Sequence, residues 1–302
     1  MLSRKLVLAA ALLASSLLPA AAQDYPVTTR DVMGREVTIP AQPERIVTTS
    51  PSAIELLYAA GGTAIARSST ALGVPGAEDL VDIGNAYSPS VELIVQQAPD
   101  LIIADAALQA QLAGMLGGLG APVLYVGALR YADIPASLRL IGSVIGTAET
   151  AEAAAVDAET VAAEVEASVA ALTPAKTLVL VAGRDGTLSV ALNDSFIGDL
   201  VRIAGGDNVA ADIPQNGPIP GFAVVSPETI VETDPDVILV VVPGNTGGPS
   251  IGAMVAQMLP MLRAVQESRV HEIDLETFLQ NPGPRAVAGL PELAKLLHPE
   301  LP

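Results

Sequence analysis

Short apolar runs alternate with longer amphipathic segments along most of this chain. The clearest runs are residues 45–49, 101–104, 123–126, 177–182, 237–242 and 270–273. Apolar runs of this length without a period of two are typical of strands that are buried on both faces, and the segments between them have the spacing of helices. The alternation predicts an α/β protein with mostly parallel sheets.

One sequence unit occurs twice, which indicates two related halves. Glu92 lies seven residues before a Pro-Asp pair that leads into an apolar strand, and Glu228 does the same 136 residues later. A second match links the apolar segments 54–60 and 197–204, because each runs into a Gly-Gly pair. Two matches in the same order predict two similar α/β lobes.

The segment between the two halves has the features of one long helix. It contains no Gly or Pro, and four apolar residues fall on a single helical stripe. The stripe consists of Val161, Val165, Val169 and Leu172. About 26 residues at helical rise would span roughly 39 Å as a stiff connector. The predicted divisions are a signal peptide at 1–22, an N-terminal lobe at 23–146, a connecting helix at 147–173 and a C-terminal lobe at 174–302.

The first residues have the features of a secretory signal peptide. Arg4 and Lys5 precede an apolar run at 6–18 and small residues at 20–22. The run is too short to span a membrane as a helix, so we expect cleavage and export. No Cys stands at the expected cleavage point, so we expect no lipid anchor.

Composition and charge exclude several classes of function. The chain is 50% hydrophobic and 16% charged, which excludes intrinsic disorder. It has no Cys and two His, which excludes thiolate sites and the usual zinc ligand sets. A formal net charge of −18 argues against nucleic acid and anionic membrane surfaces as partners. The sequence also lacks the motifs of serine hydrolases, so we do not expect an enzyme.

Several motifs resemble those of one protein family. They are DVMGREVTIP at 31–40, PERIV at 43–47, SPS at 50–52 with Glu55, PDLIIA at 99–104, GPR at 283–285 and LLHPE at 296–300. They resemble motifs of the periplasmic substrate-binding proteins of iron-siderophore, haem and cobalamin ABC importers. The resemblance covers nearly all of the chain after residue 22. It implies two α/β lobes with parallel sheets, joined by one long helix, with a ligand cleft between the lobes.

The resemblance implies a periplasmic solute-binding protein that captures an iron complex and delivers it to the transmembrane permease of an ABC importer. A ferric siderophore is the ligand that we favour from the sequence, and haem and then cobalamin are the alternatives. We expect a monomer without a permanently bound cofactor. A binding protein that serves a chemoreceptor would have the same sequence features.

Glu92 and Glu228 are the predicted docking residues. The resemblance implies that one acidic residue on each lobe pairs with arginines of the permease, and the duplication identifies the same two positions. Ser90 and Ser226 are predicted N-caps, which would place each Glu in the first turn of a helix. The alternative is that both carboxylates only complement helix N-termini.

Tyr87 is the predicted iron ligand if the bound molecule is haem. It follows a Gly-Asn pair where the resemblance implies a ligand contact, and a phenolate ligates haem iron. The alternative is a Tyr at the cleft edge that packs or forms a hydrogen bond. Other haem-binding relatives carry a ligating Tyr in a loop that corresponds to residues 67–75, and this loop has no Tyr. A siderophore is favoured over haem for that reason.

Further candidates for ligand contact lie in segments that we expect at the cleft. They are Ser50, Arg67, Arg130, Tyr131, Phe222, Phe278 and Arg285. Arginines make bidentate bonds to carboxylates and catecholates, and phenylalanines offer apolar faces to a macrocycle. The alternatives are surface charge for Arg67 and Arg130, a structural role for Arg285 and core packing for the phenylalanines. His271 and His298 are predicted to be structural.

Overall fold

The computed structural model describes residues 24–183, 187–217, 220–242, 250–280 and 282–302. The predicted signal peptide at 1–22 lies outside these residues. No helix in the described part of the chain is both long enough and apolar enough to cross a membrane.

Strands and helices alternate along the described residues, which confirms the predicted α/β class. The strands are β1 (Val27–Arg30), β2 (Glu36–Ile39), β3 (Ile46–Thr48), β4 (Ala66–Arg67), β5 (Val81–Asp82), β6 (Gly84–Asn85), β7 (Ser88–Pro89), β8 (Leu101–Asp105), β9 (Val123–Val126), β10 (Ala175–Ala182), β11 (Leu188–Ala191), β12 (Gly206–Asn208), β13 (Phe222–Val225), β14 (Val237–Val242) and β15 (Val270–Asp274). The helices are α1 (Pro51–Ala59), α2 (Val91–Gln96), α3 (Ala106–Gln109), α4 (Ala113–Gly117), α5 (Asp133–Ile145), α6 (Ala148–Val169), α7 (Phe196–Ile203), α8 (Pro227–Thr233), α9 (Ile251–Met258), α10 (Arg263–Gln266) and α11 (Pro284–Leu297).

The N-terminal lobe is built on a parallel sheet with strand order β5-β4-β3-β8-β9. The sequence patterns predicted β3, β8 and β9, but β4 and β5 contain two residues each and are too short to give an apolar run. The hairpin of β1 and β2 packs beside β9. Its Arg35 guanidinium lies 4.2 Å from the centre of the Tyr125 ring, and it donates a hydrogen bond to the Val123 carbonyl.

The C-terminal lobe is built on a mixed sheet with order β13-β11-β10-β14-β15, and β12 pairs with the beginning of β10. Strands β10, β14 and β15 are parallel, whereas β11 and β13 are antiparallel to their neighbours. This lobe is therefore less parallel than the sequence predicted. Five residues separate β10 from β11, which is too short for a parallel crossover and favours a hairpin.

Helix α6 lies between the lobes and packs against both. It contacts α1 and α5 of the N-terminal lobe and α7 and α11 of the C-terminal lobe. Its 22 residues span about 33 Å, which is shorter than the predicted rod. Its buried residues are Ala151, Ala155, Ala158, Val165 and Val169. The small alanines in its first half allow α5 to approach closely.

One apolar core passes through α6 from lobe to lobe. It includes Ile54 and Leu101 of the N-terminal lobe, Val165 of α6 and Leu290 of the C-terminal lobe. Separate apolar clusters cover the other face of each sheet. Because the central core is shared, opening the lobes would expose apolar surface to water.

Candidate ligand cleft and docking edge

Tyr87 lies at the tip of a small hairpin formed by β6 and β7, immediately before α2. Gly84 begins the hairpin with a φ of 93°, a conformation that a Cβ would disfavour. The Asn85 Oδ1 accepts a hydrogen bond of 2.8 Å from the Tyr87 N–H. The Tyr87 side chain is 58% exposed, so the turn presents its phenol ring to solvent.

Gln109 connects this hairpin to the carboxyl ends of two sheet strands. It lies at the end of α3 and is fully buried. Its Nε2 donates to the carbonyls of Ala86, at 2.7 Å, and Thr49, at 3.0 Å. Its Oε1 accepts from the Thr49 hydroxyl, at 2.6 Å, and from the Asp105 N–H, at 3.0 Å. Sequence analysis missed Gln109, and the available signal was an amide side chain four residues after the end of a strand.

Asp105 is a buried carboxyl group at the carboxyl end of β8. It caps α3, because its Oδ1 accepts a hydrogen bond of 2.8 Å from the Leu108 N–H. Its Oδ2 accepts from the Ser52 hydroxyl. Burial raises the pKa of the Asp105 carboxyl, although these hydrogen bonds oppose the rise. Sequence analysis missed this residue too.

Ser50 and Arg67 lie at the carboxyl ends of neighbouring strands, but both are buried. Ser50 caps α1 by accepting a hydrogen bond of 3.1 Å from the Ala53 N–H. The Arg67 guanidinium donates to the Ala77 carbonyl at 2.9 Å and lies 3.3 Å from the Asp82 carboxylate. These contacts favour a structural role for both residues over the predicted ligand contact, because their polar atoms are used within the protein.

Arg130 and Tyr131 follow β9, and the structure separates them by exposure. Arg130 is exposed, whereas Tyr131 is buried between the lobes. The Tyr131 hydroxyl donates to the Ala158 carbonyl of α6 at 2.7 Å, and its N–H donates to the Asp199 carboxylate of α7 at 2.8 Å. Burial raises the pKa of the Tyr131 phenol. Tyr131 therefore joins both lobes to α6.

Arg285 makes an ion pair across the lobes. Its guanidinium donates to the Glu55 carboxylate of α1 and to the Glu276 carboxylate, the latter at 3.1 Å. Glu55 Oε2 is buried without a hydrogen-bond partner, and burial raises the pKa of this carboxyl. Arg285 therefore offsets part of the cost of a buried acidic group.

Phe222 and Phe278 are buried in the apolar core. These contacts favour packing over the predicted contact with a macrocycle. Other segments of the C-terminal lobe that would border a cleft, at 184–186, 218–219, 243–249 and residue 281, lie outside the described residues.

Glu92 and Glu228 are both exposed in the first turn of a short helix. Each helix has a serine N-cap, as the sequence predicted: Ser90 accepts from the Leu93 N–H and Ser226 from the Thr229 N–H, both at 3.3 Å. Hydrogen bonds from Ser226 and from its own backbone N–H lower the pKa of the Glu228 carboxyl. Both carboxylates are exposed and therefore accessible to a cationic partner.

Within the described residues, no group of three His, Cys, Asp or Glu side chains is arranged to hold a metal ion. The buried His298 has its Nε2 3.1 Å from the Gly205 carbonyl, which indicates a structural role. His271 lies in β15, and burial together with the nearby Arg269 lowers the pKa of its imidazole.

Comparisons with known proteins agree with this architecture. The family model described as "Periplasmic binding protein" matches residues 46–277. A cobalamin-binding protein of Halobacterium salinarum is 26% identical over 91% of this chain and 74% of its own length. The periplasmic vitamin B12-binding protein BtuF of Vibrio cholerae has a TM-score of 0.72 at 22% identity, covering 85% of this chain and 98% of that chain.

The same fold occurs with a different ligand in the siderophore-binding protein BauB, which was solved with acinetobactin and ferric iron. BauB has a TM-score of 0.77 at 17% identity and covers 91% of this chain and all of its own. Two lobes around one helix, together with the family match over most of the chain, identify this protein as a member of the periplasmic substrate-binding proteins of the ABC importers for iron siderophores, haem and cobalamin.

Proposed function

We propose that this protein binds a cobalamin in the cleft between its lobes and delivers it to the permease of an ABC importer. The observation that carries the choice of ligand is the state of two of the three candidate arginines; the third, Arg130, is exposed. Arg67 is buried and bonded within its own lobe, and Arg285 is bonded to two glutamates. A corrin ring carries amide side chains where haem carries carboxylates, so it has less need of arginine clamps than haem or a catecholate complex.

The named relatives support the same choice. The Halobacterium salinarum protein, which aligns with most of this chain, is named for cobalamin binding. Tyr87 offers an exposed aromatic face on a hairpin that Gln109 joins to the carboxyl ends of β3 and β8, which suits a flat macrocycle. The sequence alone favoured a ferric siderophore over haem because the loop at 67–75 has no Tyr. Arg67 was a candidate contact for a catecholate, and its internal contacts weaken that part of the siderophore hypothesis.

A calorimetric titration of the purified protein tests the ligand. Cyanocobalamin, haemin and a ferric catecholate complex are compared in one buffer, with absorption spectra recorded on each mixture. We expect one cyanocobalamin per chain and the lowest Kd for this probe. Tighter binding of the ferric catecholate would overturn the proposal and restore the siderophore.

Haem is the second candidate, and the exposed phenol of Tyr87 is the observation that favours it. In that case Tyr87 is the axial iron ligand, and a phenolate–iron bond gives a charge-transfer band. The Tyr87→Phe variant keeps the ring and removes only the oxygen. Loss of the band together with weaker haemin binding supports haem; unchanged binding of cyanocobalamin by the same variant supports cobalamin.

We further propose that Glu92 and Glu228 contact the permease, one from each lobe. Both are exposed, and they occupy equivalent positions of a duplicated unit. We propose that the protein acts as a periplasmic monomer without enzymatic activity. The N-terminal lobe at 23–146, the helix at 147–173 and the C-terminal lobe at 174–302 are its proposed functional divisions.

A further inference from the structure

We propose that Gln109 is a positioning residue for ligand binding, because its buried amide holds the Tyr87 hairpin against the carboxyl ends of β3 and β8. The inference rests on the proposed function, since Tyr87 is its ligand contact. Gln109 itself contacts no ligand. It fixes the position of the hairpin relative to the sheet, and with it the position of the Tyr87 ring.

The Gln109 amide uses its full hydrogen-bonding capacity. Its Nε2 has two N–H donors, and these reach the carbonyls of Ala86 and Thr49. Its Oε1 accepts from the Thr49 hydroxyl and from the Asp105 N–H. Two donors and two acceptor sites are the complete inventory of a glutamine amide. Such a saturated buried group specifies the relative position of the segments that it joins.

The other hydrogen bonds of the hairpin shape its turn or join its base to β4, where the Ile83 N–H donates to the Arg67 carbonyl at 3.0 Å. Asn85 Oδ1 accepts from the Tyr87 N–H, and Asp82 Oδ1 accepts from the Gly84 N–H at 2.7 Å. These bonds shape the turn but do not join its tip to the sheet. The bond from Gln109 to the Ala86 carbonyl makes that connection, one residue before Tyr87.

Other side chains would not reproduce this connection. A glutamate at position 109 has no N–H donors for the two carbonyls and adds a buried charge. A methionine has nearly the same length but leaves the Ala86 and Thr49 carbonyls without their donor. An asparagine is one methylene shorter and does not reach both segments. The released hairpin would have to be ordered again when ligand binds, which weakens affinity.

Hydrogen–deuterium exchange of the ligand-free protein tests the anchoring directly. In Gln109→Met we expect faster exchange in peptides that cover residues 84–90 than in the unmodified protein. The exposed Gln111, whose amide donates only to the Leu108 carbonyl among the described contacts, gives the matched control Gln111→Met. If Gln109→Met leaves exchange at 84–90 unchanged, the inference is overturned.

A double-mutant cycle with cyanocobalamin as the probe tests the link to binding. We expect Gln109→Met to raise Kd about tenfold in the unmodified background and less than twofold in a Tyr87→Ala background. A residue that only stabilises the fold would weaken binding equally in both. Additive effects would therefore overturn the positioning role. If Gln109→Met does not fold, Gln109→Asn is measured in the same cycle.

The two proposals fail in different ways. If the unmodified protein does not bind cyanocobalamin, the proposed ligand is wrong, and the cycle is repeated with haemin. If it binds cyanocobalamin but the two substitutions act independently, the ligand stands and the role of Gln109 is wrong.

Discussion

The duplicated unit folds in the same way in both lobes at the outer edge of the molecule. Each copy has a serine N-cap, buries one isoleucine, ends in a residue with a left-handed backbone and continues into a Pro-Asp pair. The paired residues are Ser90 and Ser226, Ile94 and Ile230, Ala98 and Asp234, and Asp100 and Asp236. The two copies also share one hydrogen bond. The Asp100 carboxylate accepts from the Arg45 N–H, just before β3, and the Asp236 carboxylate accepts from the Lys176 N–H in β10.

The two copies differ in what precedes the helix. In the N-terminal lobe, α2 follows the separate hairpin that carries Tyr87. In the C-terminal lobe, α8 follows β13, which belongs to the main sheet and places Phe222 in the core. The molecule is thus symmetric at the predicted docking edge and asymmetric at the predicted ligand edge. A symmetric edge suits a permease that contacts both lobes, while the asymmetric edge suits one unsymmetrical ligand.

The largest expected effect comes from removing both docking carboxylates. The double variant Glu92→Ala, Glu228→Ala should abolish stimulation of permease ATPase activity in proteoliposomes, because each lobe loses its charged contact. The Kd for cyanocobalamin should stay within about threefold, since the described hydrogen bonds of both carboxylates stay within their own helices and caps. Glu164→Ala on the exposed face of α6 is the control. A collapse in ligand affinity would instead place the two glutamates in the ligand site.

The next largest effect concerns the ion pair that joins the lobes. Arg285→Met leaves the Glu55 carboxylate buried without its cation, which should lower the free energy of unfolding by about 3 kcal/mol. The control is Arg139→Met, which breaks exposed ion pairs between α5 and α6 and should cost much less. Urea unfolding at pH 7 measures both. Equal losses would show that burial of Glu55 contributes nothing to the effect.

The same pair predicts a dependence on pH. Burial raises the pKa of Glu55 above its unfolded value, so the folded protein binds more protons between the two values. The contribution of Glu55 to stability therefore falls as pH rises through this window. Arg285→Met removes the attraction that opposes the rise, so its stability loss should shrink as the pH is lowered. If the stability loss caused by Arg285→Met is the same from pH 4.5 to 8, the pH dependence does not come from Glu55.

Sequence patterns predicted features that depend on local order. The buried strands, the serine caps at Ser90 and Ser226 and the two lobes follow from apolar runs and from a repeated motif. The hydrogen-bond partners of Arg67 and Gln109 could not be predicted from local sequence patterns. A polar side chain in a loop has the same sequence signature whether it faces a cleft or is saturated by carbonyls from distant strands, and only tertiary packing decides between the two.

A smaller effect should distinguish the two Pro-Asp pairs. The Asp100 carboxylate accepts from the Glu44 N–H at 2.8 Å and the Arg45 N–H at 2.9 Å. The Asp236 carboxylate accepts from one backbone N–H at 3.1 Å and also pairs with the half-exposed Arg263 guanidinium. An exposed ion pair adds little, so we expect Asp100→Ala to destabilise by about 2 kcal/mol and Asp236→Ala by about 1 kcal/mol. Thermal unfolding measures both, with the exposed Asp79→Ala as the control. A larger stability loss for Asp236→Ala than for Asp100→Ala would show that the number of backbone hydrogen bonds does not decide the loss.

The smallest effect lies at the left-handed residue that ends each helix. Ala98 has a φ of 44° and Asp234 a φ of 37°. An alanine is strained in this region, whereas aspartate tolerates it better and glycine adopts it freely. Ala98→Gly should therefore stabilise the protein by about 0.5 kcal/mol, after the entropy that glycine adds to the unfolded chain is subtracted. Asp234→Gly should be close to neutral, because it relieves less strain and removes an ion pair with Arg263 at 3.7 Å. The control is Ala163→Gly, at an exposed position inside α6, which should destabilise by about 0.5–1 kcal/mol. If Ala98→Gly destabilises the protein as Ala163→Gly does, Ala98 is not strained, and the structural equivalence of the two copies ends at their caps.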